Sequence, residues 1–258
     1  MTNIKKLKNT HKGERCFVLG NGPSLSNYDL SPLIDEWVFV VNEFYLHPIW
    51  SKLKKCIYSH ISGESVVFRV EIDDDGNTKE TQLQYSKWKY DHLAENEDAI
   101  LILRDGDREF MGQYLRYKDF YDLIYPDREK YYLELVKGAH IQDGMYLWDI
   151  SKGVCNAGTS VIESSMSLAQ YMGFKEIYLL GCDCTPYKGK VHFYEEDNLP
   201  KEYQPNPDDV DDNLVMLKSW RIIGDLFKKK GIKIYNMSKE SQIDCFEYKD
   251  YSEVIKCL

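Results

Sequence analysis

No run of eighteen apolar residues occurs anywhere in the 258-residue chain, so the sequence holds no segment suited to a membrane-spanning helix. Met1 to Arg15 is basic and polar and lacks the apolar stretch of a secretory leader, which gives a cytoplasmic protein as the expectation. No C-x-x-C pair is present. The seven cysteines are scattered, Cys182 and Cys184 form a C-x-C, and no further ligands stand at zinc-site spacing, so the thiols are expected to be free, reduced core residues. There is also no dominant basic face. Against 33 Lys and Arg stand 42 Asp and Glu, a net charge of −9, which argues against a nucleic-acid partner. Internal repeats and low-complexity linkers are absent. What is present is an apolar fraction of 43%, enough for the core of one domain spanning 1–258. The lysines between Lys5 and Lys12 read either as a solvated terminus or as a peripheral contact with an anionic inner-membrane surface.

The chain begins with short apolar runs that end on small or amide residues. Arg15 to Leu19 stops at Gly20-Asn21-Gly22-Pro23-Ser24, Trp37 to Val41 stops at Asn42, and Lys55 to Ser59 follows. Such continuous runs, without strand-like alternation, are the pattern of buried parallel strands with helices on both faces. The expected fold class is therefore α/β, a Rossmann-like, mostly parallel sheet. Residues 62–150 read as an insertion or lid: a hairpin about Asp75-Gly76, a strand at Ala99 to Arg104, then Tyr-rich helical stretches to about Gly138. Regular signals return with a helix opened by the Ser160-x-x-Glu163 capping box and stopped by Gly173. Lys175 to Leu180 is the next strand and ends at Gly181-Cys182-Asp183. A polar, proline-bearing loop from Cys184 to Asp212 has the length of an active-site loop. Met216, Trp220, Ile223 and Phe227 mark the buried stripe of a last long helix, and Ile232 to Tyr235 a last strand.

In open α/β sheets the ligand lies beyond the carboxyl ends of the strands, where Asn21, Ser24, Asn42, Ser59, Gly181, Asp183, Asn236 and Ser238 all fall. Gly20 and Gly22 let backbone approach a phosphate, and Ser24 either caps a helix or donates its hydroxyl. The loop is also readable as an ordinary strand-to-helix turn. Gly158, Thr159 and Ser160 open a capped helix whose N–H groups and dipole suit an anion, or Ser160 caps and no more. Asp183 reads as a ligand to ribose, sugar hydroxyl or metal, or as an Asx-turn residue. Asp208, Asp209, Asp211 and Asp212 most simply complement a helix N-terminus. His192 is placed for proton transfer, or packs within its loop.

Gly20-Asn21-Gly22-Pro23-Ser24-Leu25 and Asn42-Glu43-Phe44-Tyr45 resemble the opening of the bacterial lipooligosaccharide sialyltransferases, and Gly173 to Asp183 and Gly231 to Tyr235 resemble their later donor-binding stretches. The same blocks, with His192-Phe193-Tyr194 and Tyr235-Asn236-x-Ser238, resemble the related family named after 6-hydroxymethylpterin pyrophosphokinase. The likeness covers residues 13–60 and 150–245. It implies one Rossmann-like domain with a lid, in which Asn21, Ser24, Asn42, Thr159 and Ser160 contact nucleotide or phosphate while Gly181 and Asp183 line the cleft. The sialyltransferase base is a histidine just before the last long helix. Gln204 to Asn213 has none, so His192, or an aspartate such as Asp183, is taken for that role.

Two activities follow. A glycosyltransferase would move a sugar, sialic-acid-like by the resemblance, from a nucleotide-linked donor (CMP by the same analogy) to a glycan or glycolipid acceptor of lipopolysaccharide or capsule, with no strict need for divalent metal. A pyrophosphokinase would move diphosphate from ATP to a pterin-like alcohol, with Mg²⁺ on Asp183, Asp209 and Asp211. A nucleotide-binding protein without catalysis is a third reading. A homo-oligomer built through the Tyr-rich middle is a further partner that the sequence allows.

Overall fold

A computed structural model describes residues 4–60, 91–105, 107–110, 113–116, 125–136, 150–152, 154–155, 160–184, 192–194 and 210–256. Nine strands form one sheet: β1 (Arg15–Leu19), β2 (Trp37–Val41), β3 (Lys55–His60), β4 (Ile100–Asp105), β7 (Lys130–Val136), β8 (Val154–Cys155), β9 (Glu176–Leu180), β10 (Lys233–Asn236) and β11 (Glu247–Tyr248). Their order is β11-β10-β9-β1-β2-β3-β4-β7-β8, and every neighbouring pair is parallel. Between β4 and β7 the chain makes a separate antiparallel hairpin, β5 (Asp107–Phe110) with β6 (Gln113–Arg116).

The parallel α/β sheet expected from the apolar runs is thus present. β1, β2 and β9 are buried at every residue after the first, because both of their faces are covered. On one face lie α1 (Val161–Met172), α2 (Val210–Lys229) and the N-terminal Ile4 and Leu7. On the other lie short 3₁₀ turns between residues 23 and 52, Leu93, Tyr125 and α3 (Tyr251–Ile255). Trp220, Ile223 and Phe227 of α2 are buried at helical spacing, as their stripe predicts, while Met216 of the same stripe is half-buried against the core. Among the described residues no helix is long and apolar enough to cross a membrane. Cys16, Cys56 and Cys182 are buried thiols, each pushed up from the usual thiol range by burial.

The middle differs from its sequence reading. β4 and β7 extend the main sheet beyond β3, so these parts of 62–150 belong to the sheet and do not sit over it. Lys130–Val136 is a strand where a Tyr-rich helix was expected; Tyr131 and Leu133 of its alternating pattern are buried. The hairpin expected about Asp75-Gly76 lies outside the described residues.

Helix α1 follows its end signals at Ser160 and Gly173, but Glu163 does not close the capping box. Ser160 is the N-cap, its Oγ accepting the Ile162 N–H at 3.2 Å. Gly173 closes the helix at φ +98°, its N–H reaching the Ala169 and Gln170 carbonyls while Phe174 N–H returns to Ala169.

Candidate active site at the strand switch

β1 runs outward to β2, β3 and β4 on one side, and the chain later returns to place β9 on its other side. The carboxyl ends of β1 and β9 therefore diverge, and the crevice between them is the position where such folds hold ligands.

Gly20 to Ser24 crosses the end of β9 at very short range. Gly20 N–H donates to Leu180 O at 2.8 Å, Gly22 N–H to Gly181 O at 2.7 Å, and Leu25 N–H to Gly22 O at 3.1 Å. Ser24 gives both of its donors to one carboxylate, N–H to Asp183 Oδ2 at 2.7 Å and Oγ to Asp183 Oδ1 at 2.5 Å. The glycines are required by this crossing. A Cβ on Gly22 would sit 2.6 Å from the Asp183 carboxylate, and Gly181 holds φ +67° with Gly20 O 2.7 Å from its own would-be Cβ.

The N–H groups of Gly20, Gly22 and Ser24 are donated within the protein, and an acidic side chain faces them, so in this structure the loop is a latch on β9. Ser24 is a partner of Asp183, which is 6% exposed with both carboxylate oxygens engaged. Ser238, beyond β10, completes the latch: its Oγ accepts the Gly181 N–H at 2.9 Å and lies 3.3 Å from Ser24 Oγ. Asn236 holds Ser238 through Oδ1 to its N–H at 3.0 Å. The sequence placed Ser238 and Asn236 at a strand end without assigning them this contact.

On the β2 side the polar atoms are unanswered. Asn21 donates Nδ2 to Val41 O at 3.2 Å, while its Oδ1 is buried without a partner among the described residues. The same is true of Asn42 Oδ1 and of Ser59 Oγ. Asn42 sits at φ +48°, a left-handed conformation that asparagine tolerates better than most residues and that often marks a functional turn. Since Val41 pairs with Ser59, the three orphan oxygens lie across the ends of the adjacent strands β1, β2 and β3.

His192 comes to this edge. Phe193 N–H donates to Asn21 O at 2.8 Å, Tyr194 OH reaches Glu43 Oε2 at 3.4 Å, and the His192 ring stacks on Tyr194 with centroids 4.8 Å apart. Phe193 packs on Phe44 and His47. His47 Nδ1 accepts the Ile49 N–H at 3.3 Å, and burial lowers its pKa. The neutral ring then carries its proton on Nε2, leaving no ring nitrogen free to accept one.

Gly158 and Thr159 lie outside the described residues, as do Asp208 and Asp209. Ser160 caps α1, and Glu163 in the first turn has turned into the core, 5% exposed. Burial raises its pKa to about 8. The Trp220 indole lies close enough to oppose that shift, yet neither its Nε1 nor Glu163 Oε1 completes a hydrogen bond. Burial thus favours the uncharged form of Glu163 near neutral pH. Among the described residues no group of three His, Cys, Asp or Glu side chains is placed to share a metal ion.

With this geometry in hand, solved structures offer two comparisons. The sialyltransferase CstII from Campylobacter jejuni, in complex with the substrate analogue cytidine-5'-monophosphate, matches with a TM-score of 0.50 at 20% identity, over 92% of this chain and 85% of that one. The MAf glycosyltransferase from Magnetospirillum magneticum AMB-1 matches with a TM-score of 0.50 at 12% identity, over 96% of this chain and 37% of that one. The chain shares its fold with these two glycosyltransferases. No family model and no curated protein matches it.

Proposed function

We propose that this chain is a glycosyltransferase that passes a sugar from a CMP-linked donor to a hydroxyl of a surface glycan or glycolipid. The observation that carries this reading is the row of unpartnered oxygens on Asn21, Asn42 and Ser59 beside the switch point. A buried polar atom without a partner costs about 1–3 kcal/mol. A row of them at the ligand edge of the sheet is relieved by a ligand rich in hydroxyl and amino donors. Carbonyl oxygens attract such donors and repel phosphate oxygens, so Asn21 and Asn42 take ribose, base or sugar. The phosphate falls to the N-terminus of α1, which Ser160 caps and where the helix dipole favours an anion; Gly158 and Thr159, which precede Ser160 in the sequence, are proposed to share that role. The shared fold with a CMP-bound sialyltransferase supports the donor class.

In the reaction, the acceptor hydroxyl oxygen bonds to the anomeric carbon as the bond from that carbon to the donor phosphate breaks. His192 takes the hydroxyl proton, and the negative charge of the departing nucleotide settles at the helix N-terminus. Asp183 and Ser24 hold the β1 loop in place and touch no reacting atom. The reading requires no divalent metal.

Thermal melts with CMP, CDP, UDP, GDP and ATP, each with and without Mg²⁺, test the site. A ligand at a hundred times its Kd stabilises by about 2.7 kcal/mol. CMP alone is expected to raise the melting temperature, and Asn42→Ala to abolish most of that rise. A rise only with Mg²⁺ and ATP would instead select the pyrophosphokinase, and no rise with any nucleotide would sink the site. His192→Asn is expected to keep the CMP-dependent rise while transfer slows by about 10²–10⁴.

A further inference from the structure

In a parallel sheet all strands begin at one rim, and here that rim lies opposite the candidate site. Lysines from three separate segments meet on it. Residues 9–13 run beside the end of α1: Asn9, His11 and Gly13 donate N–H to the carbonyls of Tyr171, Met172 and Gly173, which brings the Lys12 backbone to 3.1 Å from the Cβ position of Gly173. Lys175 donates its N–H to Glu14 O, and Lys233 donates its N–H to Lys175 O. Lys175 Nζ reaches Lys230 O at 3.0 Å, across from the last turn of α2, where Lys228 and Lys229 stand.

Lys12, Lys175, Lys228, Lys229, Lys230 and Lys233 are all exposed. Glu14 and Glu176 adjoin them, Glu176 at 3.8 Å from Lys233 Nζ, so cations outnumber acids at the corner of the rim where β1, β9 and β10 begin, while Asp35, Glu36, Glu97, Asp98, Asp127 and Glu129 stand farther along it before β2, β4 and β7. Crowding is visible in Lys230, whose pKa is lowered by burial and further by the Lys175 ammonium. The lysines of the N-terminal segment, Lys5 to Lys8, lead into the same rim from a turn anchored by the buried Ile4 and Leu7.

We propose that this lysine rim docks the protein on an anionic membrane surface. The groups are lysines, mobile point charges that impose no bidentate geometry. They come from three segments and are spread over the corner where β1, β9 and β10 begin, which suits a diffuse array of lipid phosphates better than a shape-matched partner. The strongly negative remainder of the chain is repelled by such a surface, so the charge asymmetry itself sets the orientation. Docked this way, the switch-point crevice faces away from the bilayer and stays open to solvent. An anionic leaflet enhances binding by about five-fold for each lysine near it, and the attraction fades within a Debye length.

The test is co-sedimentation of the full chain with phosphatidylcholine vesicles, with and without 30% phosphatidylglycerol, at low and at physiological salt. Binding is expected only to the anionic vesicles and to weaken with salt. Lys12→Glu/Lys229→Glu is expected to lower it at least twenty-fold. Lys218→Glu/Lys239→Glu changes the net charge equally but lies off the rim, and is expected to leave binding within about three-fold of wild type. Melts of both variants confirm that they fold. Equal losses in the two variants, or no binding to anionic vesicles at low salt, would overturn the rim as a docking surface.

Discussion

Glu163→Gln is expected to melt about 10 °C above the wild-type chain at pH 9 and to match it closely at pH 4. The carboxyl of Glu163 titrates near its ordinary 4.5 when unfolded and at about 8 when folded, because folding buries it without a partner for Oε1. A raised carboxyl pKa means that the folded state binds a proton which the unfolded state has already released. Stability from this group is therefore intact below about 4.5, falls as the pH rises to about 8, and is level above that. The shift corresponds to roughly 3–5 kcal/mol at alkaline pH, and each kcal/mol moves the melting temperature of a chain this size by about 2–4 °C. Glutamine keeps the shape and cannot ionise. Melting curves of both proteins from pH 4 to 9 check the expectation. Parallel curves for the two would show that Glu163 is not held neutral by burial. The same measurement bears on the proposed function, in which a neutral Glu163 would leave no opposing charge at the start of α1.

Gly22→Ala is expected to lose about 4 kcal/mol or more of stability. Its methyl group would lie 2.6 Å from the Asp183 carboxylate and 2.7 Å from Gly181 O, where ordinary contacts exceed 3.4 Å. Overpacking in a tight site typically costs about 1–3 kcal/mol. Here the displaced group also carries the two Ser24 bonds, and hydrogen bonds to a charged group contribute about 1.5–3 kcal/mol each. Ser24→Ala removes one of those bonds and relieves no clash, so it should cost about 1.5–3 kcal/mol. The double variant Gly22→Ala/Asp183→Ala should be less destabilised than the sum of its parts, because truncating the carboxylate opens the space that the methyl needs. Urea unfolding of the four proteins measures the coupling. Additive losses would show that Gly22 and Asp183 do not share that contact, and the latch would then be wrongly drawn.

Much of this molecule can be read from local pattern. RCFVL, WVFVV and EIYLL are continuous apolar runs, and only strands covered on both faces tolerate that composition. Ser160 and Gly173 bound α1 because a hydroxyl that caps and a residue that accepts positive φ are local requirements, met within a turn of the helix end. The stripe of Trp220, Ile223 and Phe227 identified the buried face of α2 for the same reason. The polar residues closing each run marked the edge where a ligand belongs. KYYLELV, by contrast, reads locally as part of a helical stretch; it is strand β7, with Tyr131 and Leu133 of its alternating pattern buried.

Tertiary structure decided what those edge residues do. That Ser24 bonds a carboxylate depends on which strand lies beside β1, and that neighbour is β9, beyond whose end stands Asp183, 159 positions from Ser24 along the chain. Glu163 completes a capping-box pattern in the sequence, yet packing α1 and α2 on the sheet buries it as a neutral acid. The lysine rim likewise joins segments that share no sequence neighbourhood. The physical reason is common to all three. Periodicity, caps and turn residues act over a few positions, while strand order, desolvation and charge crowding are set by which distant surfaces meet.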